Sequence, residues 1–123
     1  EIIRLINELK RKPKVLFLEN VKNFRSHDKG RTFQTVVNII QDNGCGEILI
    51  TSIDQEGTES GLDFNLIKKI YDKVYKPLII SGGCSGEKDI MKISKMYKDT
   101  SVAIASILHY NKVSVMDLKK NAK

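Results

Sequence analysis

Two short segments of this sequence carry residues suited to holding an anion. Ser81-Gly82-Gly83 follows the apolar run Leu78-Ile79-Ile80, and Ala105-Ser106 follows Val102-Ala103-Ile104. Glycines have no Cβ, so backbone N–H groups can approach an anion closely, and the start of a following helix adds partial positive charge. Ala105-Ser106 offers further amides and a hydroxyl. Alone, a glycine pair is equally well explained as a tight turn; a second small-residue strand end in the right place makes phosphate the better expectation. The candidate phosphate-binding residues are Gly82, Gly83, Ala105 and Ser106. Glu19, after the apolar run Val15-Leu16-Phe17-Leu18, is a candidate for acid–base work, although a carboxylate so placed is more often a hydrogen-bonded loop residue. His27 and His109 read as loop or surface residues. Cys45 and Cys84 have neither metal-ligand spacing nor a disulfide framework, so no metal or cofactor is expected, and reduced cytoplasmic thiols are the simplest reading.

The elements that must position these residues alternate. Helical spacing predicts a helix over residues 2–11, stopped by Pro13, then a buried strand over 15–18 and a polar loop from Asn20 to Arg31. A helix over 32–42 puts Phe33, Val36, Val37 and Ile40 on one face and ends at Asn43-Gly44. A strand over 47–53, a glycine-containing loop over 54–61 and a helix over 64–74 with Asp63 as N-cap follow. The strand Leu78–Ile80, a helix over 87–97, a strand over 102–105 and a helix opened by Ser114-x-x-Asp117 complete the pattern. Buried strands alternating with amphipathic helices predict an α/β fold of βα units with a four-stranded parallel sheet, half of a (β/α)₈ TIM barrel. Right-handed crossovers place Glu19, Asp54, Gly82-Gly83 and Ala105-Ser106 at one edge, where ligands bind in such folds.

The bulk numbers exclude several classes. At 123 residues the chain is long enough for a core but short of the ~250 residues of a complete barrel. No apolar run nears the ~18 residues needed to span a bilayer, and no signal-peptide pattern is present. A start at Glu1, without an initiator Met, suggests a piece of a longer protein. Of the net charge of +6, residues 1–43 contribute nine Lys/Arg against five Asp/Glu, and residues 44–123 twelve against ten. That basic front suits a polyanion or a phosphorylated substrate, or is simply a solvated lysine-rich surface.

Glu47-Ile-Leu-Ile-Thr-Ser-Ile-Asp54, Glu56-Gly57-Thr58, Gly61, Asp63, Ser81-Gly82-Gly83 and Ala103-Ile104-Ala105-Ser106 with His109 together resemble the cyclase subunit of imidazole glycerol phosphate synthase. The resemblance covers about residues 44–121, the last three βα units of that barrel. Residues 101–112 look closer to the paralogues associated with surface-polysaccharide sugar amidation. The resemblance implies a phosphorylated small-molecule ligand, with one phosphate held by Gly82, Gly83, Ala105 and Ser106. It also implies that Thr51, Asp54 and Gly57 line the substrate, and that a glutaminase subunit delivers ammonia when the complete cyclase is present. Glu56 stands where the family usually has Asp. The family's acid–base pair comes from the first and fifth strands; the first is absent here, so one copy is expected to be inactive alone.

Lys12-Pro13-Lys14-Val15-Leu16-Phe17-Leu18-Glu19-Asn20-Val21 and Ser26-His27-Asp28-Lys29-Gly30-Arg31-Thr32-Phe33 resemble the Glu-Asn-Val segment of DNA cytosine-5 methyltransferases. There the glutamate, here Glu19, would hold a flipped cytosine, but the Pro-Cys nucleophile loop and the glycine-rich cofactor segment of that family are missing. The two resemblances together suggest a chimera: a methyltransferase-like segment over 1–43 and a cyclase-like half-barrel over 44–123, forming one continuous structural domain. The strand at 15–18 would take the slot of the synthase's fifth strand. Three readings follow: a phosphate-binding cyclase fragment, a DNA-binding methyltransferase fragment, and a non-catalytic assembly module whose open sheet edges pair in a homodimer. The first is preferred.

Overall fold

The computed structural model describes residues 2–11, 15–16 and 26–120. The chain divides into two units, Glu1–Gly44 and Cys45–Lys123.

In the first unit, helix α1 (Ile2–Glu8) is shorter than its spacing predicts. Leu5 and, just after the helix, Leu9 are exposed, whereas Ile3 and Ile6 are half-buried. The strand expected over 15–18 is not formed at its described positions, where Val15 is 80% exposed. Its remaining residues and Glu19 lie outside the described residues. Helix α2 (Arg31–Asp42) follows a turn in which Asp28, Lys29 and Gly30 all take left-handed backbone angles. Arg31 pairs with Asp28 at 2.5 Å, and His27 Nδ1 lies 2.7 Å from Thr32 Oγ1. Of the predicted apolar face only Val37 is fully buried; Phe33, Val36 and Ile40 are half-buried. The C-terminus closes as expected: Gly44, at φ +85°, donates its N–H to Gln41 O, while Asn43 Nδ2 donates to Ile39 O.

The second unit is built from βα repeats. Strands β1 (Ile48–Thr51), β2 (Leu78–Ser81) and β3 (Thr100–Ala103) form a parallel sheet in the order β1-β2-β3. Helix α3 (Phe64–Tyr71) links the first pair and α4 (Glu87–Met96) the second. The register aligns Thr51, Ser81 and Ala103 in one row across the strand ends. Sequential strands joined by helical crossovers of one hand leave those helices on the same face of the sheet. Leu78 and Ile80 of β2 are buried, as are Ile67, Ile70 and Ile93 of the two helices. Leu49, on the alternate positions of β1, is 56% exposed. The strands were expected to be covered on both faces; β1 alternates between half-buried and exposed residues instead.

Only three of the four expected strands occur among the described residues. The last strand also sits two residues earlier than the 102–105 expected, so Ile104 and Ala105 leave the sheet. A short helix α5 (Ser106–His109), not foreseen, follows, and α6 (Val115–Lys120) ends the unit. Both expected caps are present. Asp63 Oδ1 accepts the Leu66 N–H at 2.8 Å, and Ser114 Oγ accepts the Asp117 N–H at 3.1 Å. Among the described residues no helix is long and apolar enough to cross a membrane.

Candidate functional site

The two segments singled out by their chemistry meet. Gly82, Gly83, Ala105 and Ser106 line one small pocket, together with Ser81, Cys84, Ala103 and Ile104 from the ends of β2 and β3 and the residues that follow them. Glu56 and Glu59 complete it from the loop after β1. Its volume is about 100 Å³, well below the roughly 300–1,000 Å³ of pockets that take a whole small molecule. A single compact group, such as one phosphate, is the scale that fits.

The glycines are where a side chain cannot be. Gly82 and Gly83 have φ of +101° and +82°, in the left-handed region that L residues avoid. A Cβ on Gly82 would lie 2.6 Å from Ser52 O, and one on Gly83 would lie 2.5 Å from Gly61 O. The β1–α3 loop thus packs directly on the glycine backbone. Gly61 N–H donates to Gly83 O at 2.7 Å, and Ser52 N–H donates to Ser81 O at 2.9 Å. Close loop packing therefore explains the glycine pair without a ligand, and the same packing fixes the amides at the pocket.

The parallel ladder directs the Gly82 N–H toward Ala103 O, whereas no acceptor among the described residues takes the N–H of Gly83, Ser106 or Ile107. Free amides gathered at a concave surface are the means by which backbone binds anions. No Lys or Arg lines the pocket, so the backbone and the Ser106 hydroxyl would do the binding.

Three residues not singled out in the sequence hold the rim. Asp89, buried in the first turn of α4, accepts from both the N–H and the hydroxyl of Ser85 at 2.8 Å. That pair closes the glycine turn onto α4; the Ser85/Asp89 spacing was the signal for it. Ser52 Oγ donates to Asp63 Oδ2 at 3.2 Å, tying the end of β1 to the start of α3. Glu59, partly buried, pairs with Lys112 from the turn after α5. Nothing local in the sequence links two residues so far apart. Cys84 is buried at the pocket wall. Burial pushes its thiol pKa up, a backbone contact with Gly86 pulls part of the way back, and the Asp89 charge adds to the rise. A thiol so held is a poor nucleophile at neutral pH.

The remaining candidates fall elsewhere. Thr51, Asp54 and Gly57 do not line the pocket: Thr51 ends β1 in the row of Ser81 and Ala103, and Asp54 and Gly57 are exposed in the turn that carries Glu56. His109 stacks edge-on against Tyr110 at 5.1 Å and is exposed. Among the described residues no three of His, Cys, Asp and Glu gather as metal ligands.

Comparison with known proteins gives a family match and a set of relatives. The model of the family described as "Histidine biosynthesis protein" matches residues 17–114. The imidazole glycerol phosphate synthase subunit HisF of Methanococcus maripaludis (strain C6) is 45% identical over 80 residues, covering 65% of this chain and 29% of that protein. The HisF subunit of Nitrosopumilus maritimus is 39% identical over 115 residues, covering 87% of this chain and 43% of that protein. That of Streptococcus sanguinis is 37% identical over 93 residues, or 76% and 37%. The chain thus spans less than half the length of the curated relatives it matches. The family match crosses residue 43 without a break, so residues 17–43 belong to the same matched stretch as the pocket. The methyltransferase resemblance and the chimera expected from it gain no support.

Proposed function

This chain belongs to the histidine biosynthesis protein family, and from that premise we propose that it is the phosphate-binding portion of an imidazole glycerol phosphate synthase-type cyclase. One observation carries the reading: Gly82, Gly83, Ala105 and Ser106 share a pocket of one-phosphate size, where the amides of Gly83 and Ser106 have no internal acceptor among the described residues. The strand order β1-β2-β3, without a reversal, supports an arc of a (β/α)₈ barrel rather than a doubly wound sheet. Thr51, Asp54 and Gly57 would then line the rest of the substrate, beyond the phosphate subsite.

The ligand is a phosphorylated small molecule, and in the complete cyclase a glutaminase subunit supplies ammonia. The chain spans 29–43% of the matched HisF subunits, which supports a subsite inactive alone over a complete catalyst. The family description and the relatives' names favour histidine biosynthesis over sugar amidation. The setting proposed is cytoplasmic. Glu19 lies inside the matched stretch but outside the described residues, so no step is assigned to it. Nothing among the described residues favours DNA binding or pairing of two copies over this reading.

Millimolar inorganic phosphate should raise the unfolding temperature of the 123-residue chain, and Ala105→Asp should remove the rise. Ala105 is exposed and precedes α5, so the substitution adds a carboxylate to the pocket without entering the core. Gly83→Asp is a poor test, because any Cβ there collides with the backbone of Gly61. An equal rise in Ala105→Asp and the parent chain, or no rise in either, contradicts the assignment.

A further inference from the structure

The pocket proposed for phosphate is lined by two carboxylates and no cation. An anion entering it would be repelled by both unless something offsets them. Glu56 is exposed, but its Oε2 lies 3.4 Å from where a Cβ on Gly82 would sit, so its repulsion is only partly reduced by water and is common to every variant considered below. The Glu59 side chain is only 17% exposed, which leaves it far less screened. Among the described residues the partner that meets it is Lys112, whose side chain is 58% exposed.

Both partners are set in place by backbone. Glu59 takes a left-handed φ of +54°, and Asn111, immediately before Lys112, takes the same value. Lys112 N–H donates to Ile107 O at 2.9 Å, so the turn that carries the lysine is fastened to α5. The first residues of α5 supply the Ser106 side of the pocket. Lys112 therefore ties the turn after α5 to the loop after β1, and its ammonium sits on the carboxylate of a pocket-lining residue.

A half-exposed ion pair of this kind adds little to stability, because solvent screening and side-chain entropy nearly cancel its attraction. Its effect on a bound anion is larger, since the carboxylate is shielded from water and close to the ligand. We propose that Lys112 sets the anion affinity of this pocket by cancelling the charge of Glu59, without itself contacting the anion. The inference rests on the phosphate reading above and assigns the pocket a charge-setting pair. It makes Lys112 a positioning residue for charge, and Glu59 the group that holds it at the rim.

The test is isothermal titration of the full chain with inorganic phosphate at low, fixed ionic strength. Lys112→Met keeps the aliphatic stem and should weaken binding about tenfold, as expected for one uncompensated charge near the ligand. Glu59→Gln should tighten binding several-fold, because the lysine is then unopposed. The double variant should return to within about threefold of the parent chain, since both charges are gone. Melting curves without phosphate confirm that each variant is folded. Unchanged affinity in Lys112→Met, or weaker binding in Glu59→Gln, overturns the inference while leaving the phosphate pocket intact. A double variant as weak as Lys112→Met also overturns it, because the lysine would then be a direct ligand. Absence of phosphate binding by the parent chain overturns the pocket itself and this inference with it.

Discussion

Gly82 and Gly83 are fixed by two independent requirements, a left-handed backbone and a neighbouring chain too close for a Cβ. The contrast with Gly57 separates them. Gly57 has φ +74° but nothing within 4 Å of an added Cβ. Gly57→Ala should therefore lower stability by about 1–2 kcal/mol, the penalty of the left-handed conformation alone. Gly83→Ala must in addition displace Gly61 and Gln55, so its loss measured by urea unfolding should exceed that of Gly57→Ala at least twofold. Equal losses would mean that the loop yields easily and that the amides at the pocket are not firmly held. The carboxylates at the rim show what single residues cannot reveal in sequence. Glu59 and Lys112 carry no local pattern, because their meeting depends on how two separate loops return to one strand edge.

At the scale of elements, the second unit was largely legible. Short continuous apolar runs mark β1 and β2, and the caps Asp63 and Ser114 mark where α3 and α6 begin. The end of β3 differs from the expected one because Val102-Ala103-Ile104-Ala105 is uniformly apolar. Pairing with Leu78–Ser81, rather than composition, decides which of those residues join the sheet. Releasing Ile104 and Ala105 from the ladder is also what shapes the pocket wall. Helix α5 was missed because four residues are too few to show a period. In the first unit, Leu5 and Leu9 have helical spacing without burial, since periodicity reports what a helix offers and not what it meets. Asp89 is the element-scale residue of most consequence, joining the glycine turn to α4. Asp89→Ala strips two hydrogen bonds from Ser85 and should cost about 1–3 kcal/mol. Faster amide exchange at residues 83–86 would accompany that loss. Unchanged exchange there would assign the turn's order to the glycine packing alone.

For the whole molecule, the family match runs from residue 17 to 114 and so takes in parts of both units. Segmentation of the sequence by local resemblance broke it at residue 43, where composition changes; the longer match shows that such a change need not mark a change of family. Within Cys45–Lys123, the ends of β2 and β3 and the loop after β1 line one pocket, and that pocket brings the candidate phosphate residues together. The central claim is that backbone amides from the turns after β2 and β3 converge on one anion. Titrating the ¹⁵N-labelled chain with inorganic phosphate, followed residue by residue in amide NMR spectra, tests it most directly. The account predicts saturable shifts of the Gly83, Ser106 and Ile107 amides along a single binding curve. Shifts confined to one of the two turns, or centred on other residues, would contradict it.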